Sequence, residues 1–163
     1  MKKILICALS TVLFSAYSYA GNEISGEPQK KAKKELKSED FKDARLLTLK
    51  GDSVSLSDYV GKHKYVLVDF WATWCGPCMR EVPNVKAAYE KYKSRGLEIV
   101  GISLDRDRAA WEKVVNEKGM NWIQTTDMTG RGSAVSNAYG VQYIPYIVIF
   151  DKKGNIVAKD LHG

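Results

Sequence analysis

The chain has 163 residues, 25 Lys and Arg against 19 Asp and Glu, a net charge of +6, and three cysteines. That length suits one domain with a short extra segment, large enough to bury a core. The charge excess is modest and has no aromatic residues interleaved with it, which excludes nucleic-acid binding as the main reading, and three cysteines are too few for a disulfide-stapled scaffold.

Residues 1–20 form the extra segment. Lys2 and Lys3 give a positive start, 4–14 is an apolar run, and Ser18-Tyr19-Ala20 places small residues at a cleavage site. This is the pattern of a secretory signal peptide cut before Gly21, with an uncleaved membrane anchor as the alternative. Cleavage removes Cys7, Lys2 and Lys3, leaving two cysteines and a net charge of +4. Residues 21–40 carry Lys30, Lys31, Lys33, Lys34 and Lys37 with few large apolar residues, and are expected to be a solvated linker. Residues 41–163 are then the folded domain, in an exported or periplasmic location.

Within that domain, residues 44–49 and 53–56 flank Gly51-Asp52 as a small hairpin, followed by one helical turn over 57–60. The run Tyr-Val-Leu-Val-Asp-Phe-Trp at 65–71 has the continuous apolar character of a central strand buried on both faces, with Asp69 as its anomaly. A helix is predicted over 77–94, from the spacing of Val82, Val85, Tyr89 and Tyr92 and the stop at Gly96, with a kink at Pro83. Residues 97–104 are the next strand. Asp107 caps a helix reaching Lys118, with Gly119 ending it. A short extended piece lies near 122–124, a brief helix over 133–139, and a terminal hairpin over 146–150 and 156–158. Strands alternating with helices and closing on an antiparallel hairpin make an α/β domain with a mixed sheet. Both faces of the hairpin are apolar, because Tyr146, Val148 and Phe150 alternate with Ile147 and Ile149. It therefore needs cover, from the 133–139 helix, from another subunit, or from chain beyond Gly163; the expectation is a bare face and a shortened chain.

The chemistry is expected at Trp74-Cys75-Gly76-Pro77-Cys78. A strand running straight into Cys-x-x-Cys at a helix start places the first sulfur among unpaired backbone N–H groups, where the dipole favours negative charge. Cys75 is then the nucleophile, and Cys78, one turn on and more buried, attacks the mixed disulfide. Pro77 suits the first helical turn, and Gly76 lets a partner backbone approach. A zinc half-site is the structural alternative, but His63 and His162 supply no metal spacing, so no metal and no cofactor beyond the redox-active pair is expected. Asp69 precedes Cys75 by six residues; a buried carboxylate there can deprotonate Cys78 through a water. Ile144-Pro145 precedes a strand, where its backbone can pair with an extended substrate; taken alone, the bond is expected to be trans. Trp74 is expected to form a flat contact surface over the sulfurs, with Trp71, Trp111 and Trp122 in the core.

The run Val-Asp-Phe-Trp-Ala-Thr-Trp-Cys-Gly-Pro-Cys at 68–78 resembles the thioredoxin superfamily signature. The continuation Glu81-Val82-Pro83 and the run Gly-Ile-Ser-Leu-Asp at 101–105 are similar to its exported TlpA/ResA-type branch. The resemblance implies a three-layer thioredoxin-like fold with helices flanking a mixed central sheet, Cys75 as attacking thiol, Cys78 as resolving thiol, Asp69 as the buried acid and Pro145 as a cis proline. It also implies reduction of disulfides in exported client proteins, including apocytochromes c, with a membrane thiol reductase as electron donor. Asp69 departs from some cytochrome-maturation members. A thiol peroxidase of the same fold is the rival enzyme reading, which would want Thr-x-x-Cys and an arginine near Pro145. Thr73 stands two before Cys75 instead, and the sequence shows no arginine close to Pro145. A copper or zinc carrier is the non-enzymatic rival. Known thiol proteins span roughly −270 to −120 mV, and Gly-Pro between the cysteines sets the expectation in the reducing half.

Overall fold

The computed structural model describes residues 38–161; the expected leader and residues 21–37 of the expected linker lie outside them, as does His162. Seven strands and three α-helices follow in the order β1 (Arg45–Thr48), β2 (Ser53–Ser55), β3 (Tyr65–Trp71), α1 (Gly76–Tyr92), β4 (Leu97–Ser103), α2 (Arg108–Lys118), β5 (Ile123–Thr126), α3 (Ala134–Ala138), β6 (Tyr146–Asp151) and β7 (Ile156–Lys159). The strands form one mixed sheet in the order β2-β1-β5-β4-β3-β6-β7. β3 pairs parallel with β4 and antiparallel with β6, so its backbone is hydrogen-bonded along both edges. Its side chains from Val66 to Trp71 are all buried, as the unbroken apolar run predicts.

The two faces of β3 serve different ends. Val66, Val68 and Phe70 share one face, and their partners Phe150, Val148 and Tyr146 on β6 share it too. Leu67, Asp69 and Trp71 lie on the other, where alternation puts every second residue. Two successive right-handed crossovers moving the same way across the sheet, β3-α1-β4 and β4-α2-β5, set α1 and α2 on one face. Tyr89 on α1 accordingly meets Trp122, just beyond α2, at 6.4 Å. The helices end where the sequence says they should. Asp107 accepts the Ala109 and Ala110 N–H groups at the start of α2, and Gly119 closes it in the left-handed region. α1 runs unbroken through Pro83 and finishes in a 3₁₀ turn, Lys93–Arg95, that Gly96 terminates at φ 93°. A side chain at Gly96 would be doubly unfavourable, since its Cβ would also stand 2.9 Å from that of Lys64.

Two expectations need correction. The extended piece near 122–124 is a longer strand, β5, and it joins the N-terminal hairpin to the sheet through Leu47 and Thr48 of β1. The Phe150 face of the terminal hairpin is not bare: Val148 and Phe150 are buried. Tyr139, the residue capping α3, lies 5.6 Å from Phe150 and 6.1 Å from Phe70, and Phe41 packs edge-on against Phe150 at 5.8 Å. The short helix is thus the third layer, as one of the sequence alternatives held. Exposure remains at the sheet edge, where Val157 is 52% accessible.

Tyr139 also ties the entry of the domain to this layer. Its hydroxyl donates to the Lys42 carbonyl at 2.8 Å and accepts the Lys42 N–H at 2.9 Å. Burial pushes its pKa up to about 12. Tyr139→Phe keeps the ring contacts and removes both hydrogen bonds. It is expected to cost about 1 kcal/mol with an unchanged denaturant slope, measured by urea unfolding.

Candidate active site

β3 ends at Trp71 and α1 begins at Gly76, so the sheet passes into the helix within a few residues. Asp105, buried just past β4, holds this passage in place. Its carboxylate accepts the Thr73 N–H at 3.1 Å, the Thr73 hydroxyl at 2.7 Å and the Ser103 hydroxyl at 2.6 Å. The Ala72 carbonyl accepts the Cys75 N–H at 3.1 Å. Cys75 thereby becomes the N-cap of α1, and its Sγ accepts the Cys78 N–H at 3.1 Å. A sulfur in this position takes the place of the side-chain oxygen of an ordinary cap, and the helix dipole stabilises its thiolate.

Cys75 and Cys78 are joined in a disulfide with Cα atoms 5.2 Å apart. Their burial differs less than the sequence suggested, at 5% and 3% accessible. What separates them is access. Cys75 lines a cavity of about 360 Å³ together with Trp74, Gly76, Pro77 and Ile144, and Cys78 does not. Four of the expected contact residues therefore converge on one opening. The Ile144 carbonyl oxygen stands 3.6 Å from Cys75 Sγ, and the Ile144–Pro145 peptide is cis, as the family resemblance implied and the isolated sequence did not. Among the described residues, no third His, Cys, Asp or Glu joins the two cysteines as a metal-donor set.

Asp69 lies in mid-sheet, 6% accessible, paired across the ladders with Gly101 and Ile147. Burial, and after it the negative charge of Glu81 on α1, push its pKa up to about 7. Glu81 and Cys78 are both carried by α1, the helix that follows β3.

Several participants escape sequence reasoning. Glu81 and Asp105 stand in stretches that signal kinship, but nothing in their spacing marks an electrostatic neighbour of Asp69 or a clamp on Thr73. Thr73, weighed as a peroxidase feature, is engaged by Asp105. Arg131 is the larger omission. No arginine is close to Pro145 in sequence, yet the Gly130–Gly132 turn carries Arg131 to the same cavity as Ile144, with its guanidinium 4.7 Å over the exposed Trp74 ring. Only the fold brings these segments together.

The Redoxin family model matches residues 33–163. The chain belongs to the Redoxin family. Curated relatives of this Redoxin chain include the thiol-disulfide oxidoreductase ResA of Geobacillus kaustophilus, 37% identical over 111 residues, covering 68% of this chain and 61% of the relative. ResA of Bacillus anthracis is 35% identical over 109 residues, covering 67% of this chain and 60% of the relative. The chain thus spans about three-fifths of the length of the curated relatives it matches. Among solved structures, a thiol-disulfide oxidoreductase from Bacteroides fragilis superposes with a TM-score of 0.70 at 32% identity, covering 75% of this chain and 90% of that one. The thioredoxin domain of a Bacteroides vulgatus thiol-disulfide oxidoreductase gives 0.69 at 38% identity, covering 75% and 86%. The Redoxin fold is thioredoxin-like, a mixed sheet between helical layers.

The raised pKa of Asp69 has a consequence for stability. The group ionises near 3.8 when unfolded and near 7 when folded, so between those values the native state binds more protons than the unfolded state. Stability therefore falls as pH rises through that window, and the full cost is present above it. At about 1.4 kcal/mol for each tenfold change in proton affinity, that cost is roughly 4 kcal/mol. In the disulfide form, Asp69→Asn is expected to gain about 2–4 kcal/mol at pH 8 and far less at pH 4, read from urea midpoints. Equal gains at both pH values would show that Asp69 does not titrate near 7.

Proposed function

We propose that this Redoxin chain is a thiol-disulfide oxidoreductase that reduces disulfides of exported client proteins by cycling Cys75 and Cys78 between dithiol and disulfide. One observation carries the proposal. Cys75 Sγ sits at the N-terminus of α1 and lines the cavity, beside a backbone carbonyl at Ile144 that an extended client can use. The names of the ResA and Bacteroides relatives support the same chemistry.

In the forward direction the Cys75 thiolate attacks one sulfur of the client disulfide. A bond forms between Cys75 and that sulfur, the client S–S bond breaks, and the second client sulfur leaves as a thiolate that takes a proton from solvent. Cys78 then loses its proton, with Asp69 as the acceptor, and its thiolate attacks Cys75 Sγ. The mixed disulfide breaks, the Cys75–Cys78 disulfide forms, and the remaining client thiolate takes up the proton Cys78 released. Two electrons pass to the client. An acid with a pKa of about 7 is half ionised near neutrality, which suits it to accept that proton and return it. A membrane thiol reductase, exchanging by the same chemistry, restores the dithiol. The signal-like pattern of residues 1–20 supports a periplasmic or otherwise exported location, with cleavage before Gly21 and membrane contact only if that segment is kept.

Cys78→Ser is expected to accumulate mixed disulfides with client proteins on non-reducing gels, because Cys75 still attacks and nothing resolves the product. Cys75→Ser is expected to accumulate none. Equal trapping by the two variants would reverse the assigned roles. Asp69→Asn is expected to slow reduction of a model disulfide by roughly tenfold or more at pH 7. A rate that stays at the wild-type value from pH 6 to pH 8 would remove Asp69 from the proton path.

A further inference from the structure

We propose that Arg131 selects client segments carrying a carboxylate side chain next to the cysteine that Cys75 attacks. This rests on the thiol-disulfide exchange reading above and names the substrate class of the same site.

The cavity beside Cys75 has walls of mixed chemistry. Trp74 and Ile144 give apolar surface and a backbone carbonyl, Gln142 and Tyr143 give neutral polar groups, and Arg131 is its one formally charged side chain. No Asp or Glu lines it. The Tyr143 hydroxyl donates to Asp160 at 2.6 Å, and Asp160 lies outside the lining. A second cation stands near the mouth: a guanidinium nitrogen of Arg80 lies 3.8 Å from where a side chain at Gly76 would begin. The surface a client meets at the attacking sulfur is therefore net positive.

Arg131 is also oriented. The guanidinium carbon stands 4.7 Å over the Trp74 ring, and a guanidinium carries five N–H donors in a fork that matches a planar acceptor. Among the described residues it has no carboxylate partner. The turn beneath it is fixed from behind. Arg106 Nε donates to the Thr129 carbonyl at 3.1 Å and packs so close to Gly130 that a Cβ there would meet it at 2.6 Å. The Ser133 N–H closes the turn by donating to the Gly130 carbonyl at 3.0 Å. A guanidinium over the Trp74 ring, with no carboxylate partner among the described residues and in the cavity that Cys75 lines, matches a carboxylate displaced by one side chain from the client cysteine.

The test uses three synthetic peptides, each with one internal disulfide, identical except for Asp, Asn or Lys beside the cysteine open to attack. Second-order rate constants for reduction by the dithiol protein are measured for wild type, Arg131→Ala and Arg131→Glu. The readout is the Asp-to-Lys rate ratio, so a general loss from repacking Trp74 cancels. Wild type is expected to reduce the Asp peptide about three- to tenfold faster than the Lys peptide at low salt, the size of one partly exposed ion pair gained and one repulsion avoided. The ratio is expected to approach one in about 0.5 M salt, where screening is short-ranged. Arg131→Ala is expected to flatten it and Arg131→Glu to invert it. Equal rates on the three peptides, or an Asp preference that survives in Arg131→Ala, would overturn the role of Arg131 and leave the exchange chemistry standing. Failure to reduce any of the peptides would overturn both.

Discussion

The chain has to leave the middle of a sheet and enter a helix within a few residues, and it has to do so with a sulfur at the helix N-terminus. β3 cannot shift to accommodate this, because β4 and β6 bond it on both edges. The slack is removed by Asp105, which takes both the amide and the hydroxyl of Thr73. Cys75 is then placed by the sheet rather than by its own loop. Its Sγ accepts a backbone N–H and inherits the end of a 17-residue helix. The cavity it lines brings Ile144 and Arg131 to the same opening.

What the sequence made legible follows from how local each signal is. The strand at 65–71, the helix after Pro77, the Asp107 cap and the stops at Gly96 and Gly119 depend on periodicity and backbone preference within a few residues, and each is found where those rules put it. The two cysteines and the anomalous Asp69 were visible for the same reason. The cover over the terminal hairpin was not settled, because it comes from Tyr139 and Phe41, far apart in sequence and joined only through the Lys42 backbone. Arg131 carried no signal at all. A lone arginine in a glycine-flanked turn is ordinary, and its place over Trp74 is set by the path of the chain from β5 to α3.

The place beside Asp69 on β4 has no room for a side chain. Gly101 stands beside Asp69 in register, and a Cβ at that position would come within 2.6 Å of Gln124 Oε1 and 3.1 Å of Trp71 Nε1. The residue next to the acid on β4 is therefore the one residue that adds no side chain, and the amide of Gln124 and the indole N–H of Trp71 occupy the space above it.

Glu81, on α1, acts on the same group. A second carboxylate near a buried first one raises the proton affinity of Asp69 beyond what burial alone achieves. Burial and Glu81 act in the same direction, both favouring the protonated form over an ionised group in mid-sheet. Held near 7, the group changes state with little free-energy difference between its two forms, which is the condition for passing a proton in either direction. The same condition makes the fold less stable than a hydrophobic replacement would leave it. That stability cost has one physical origin: a carboxyl group kept out of water in mid-sheet.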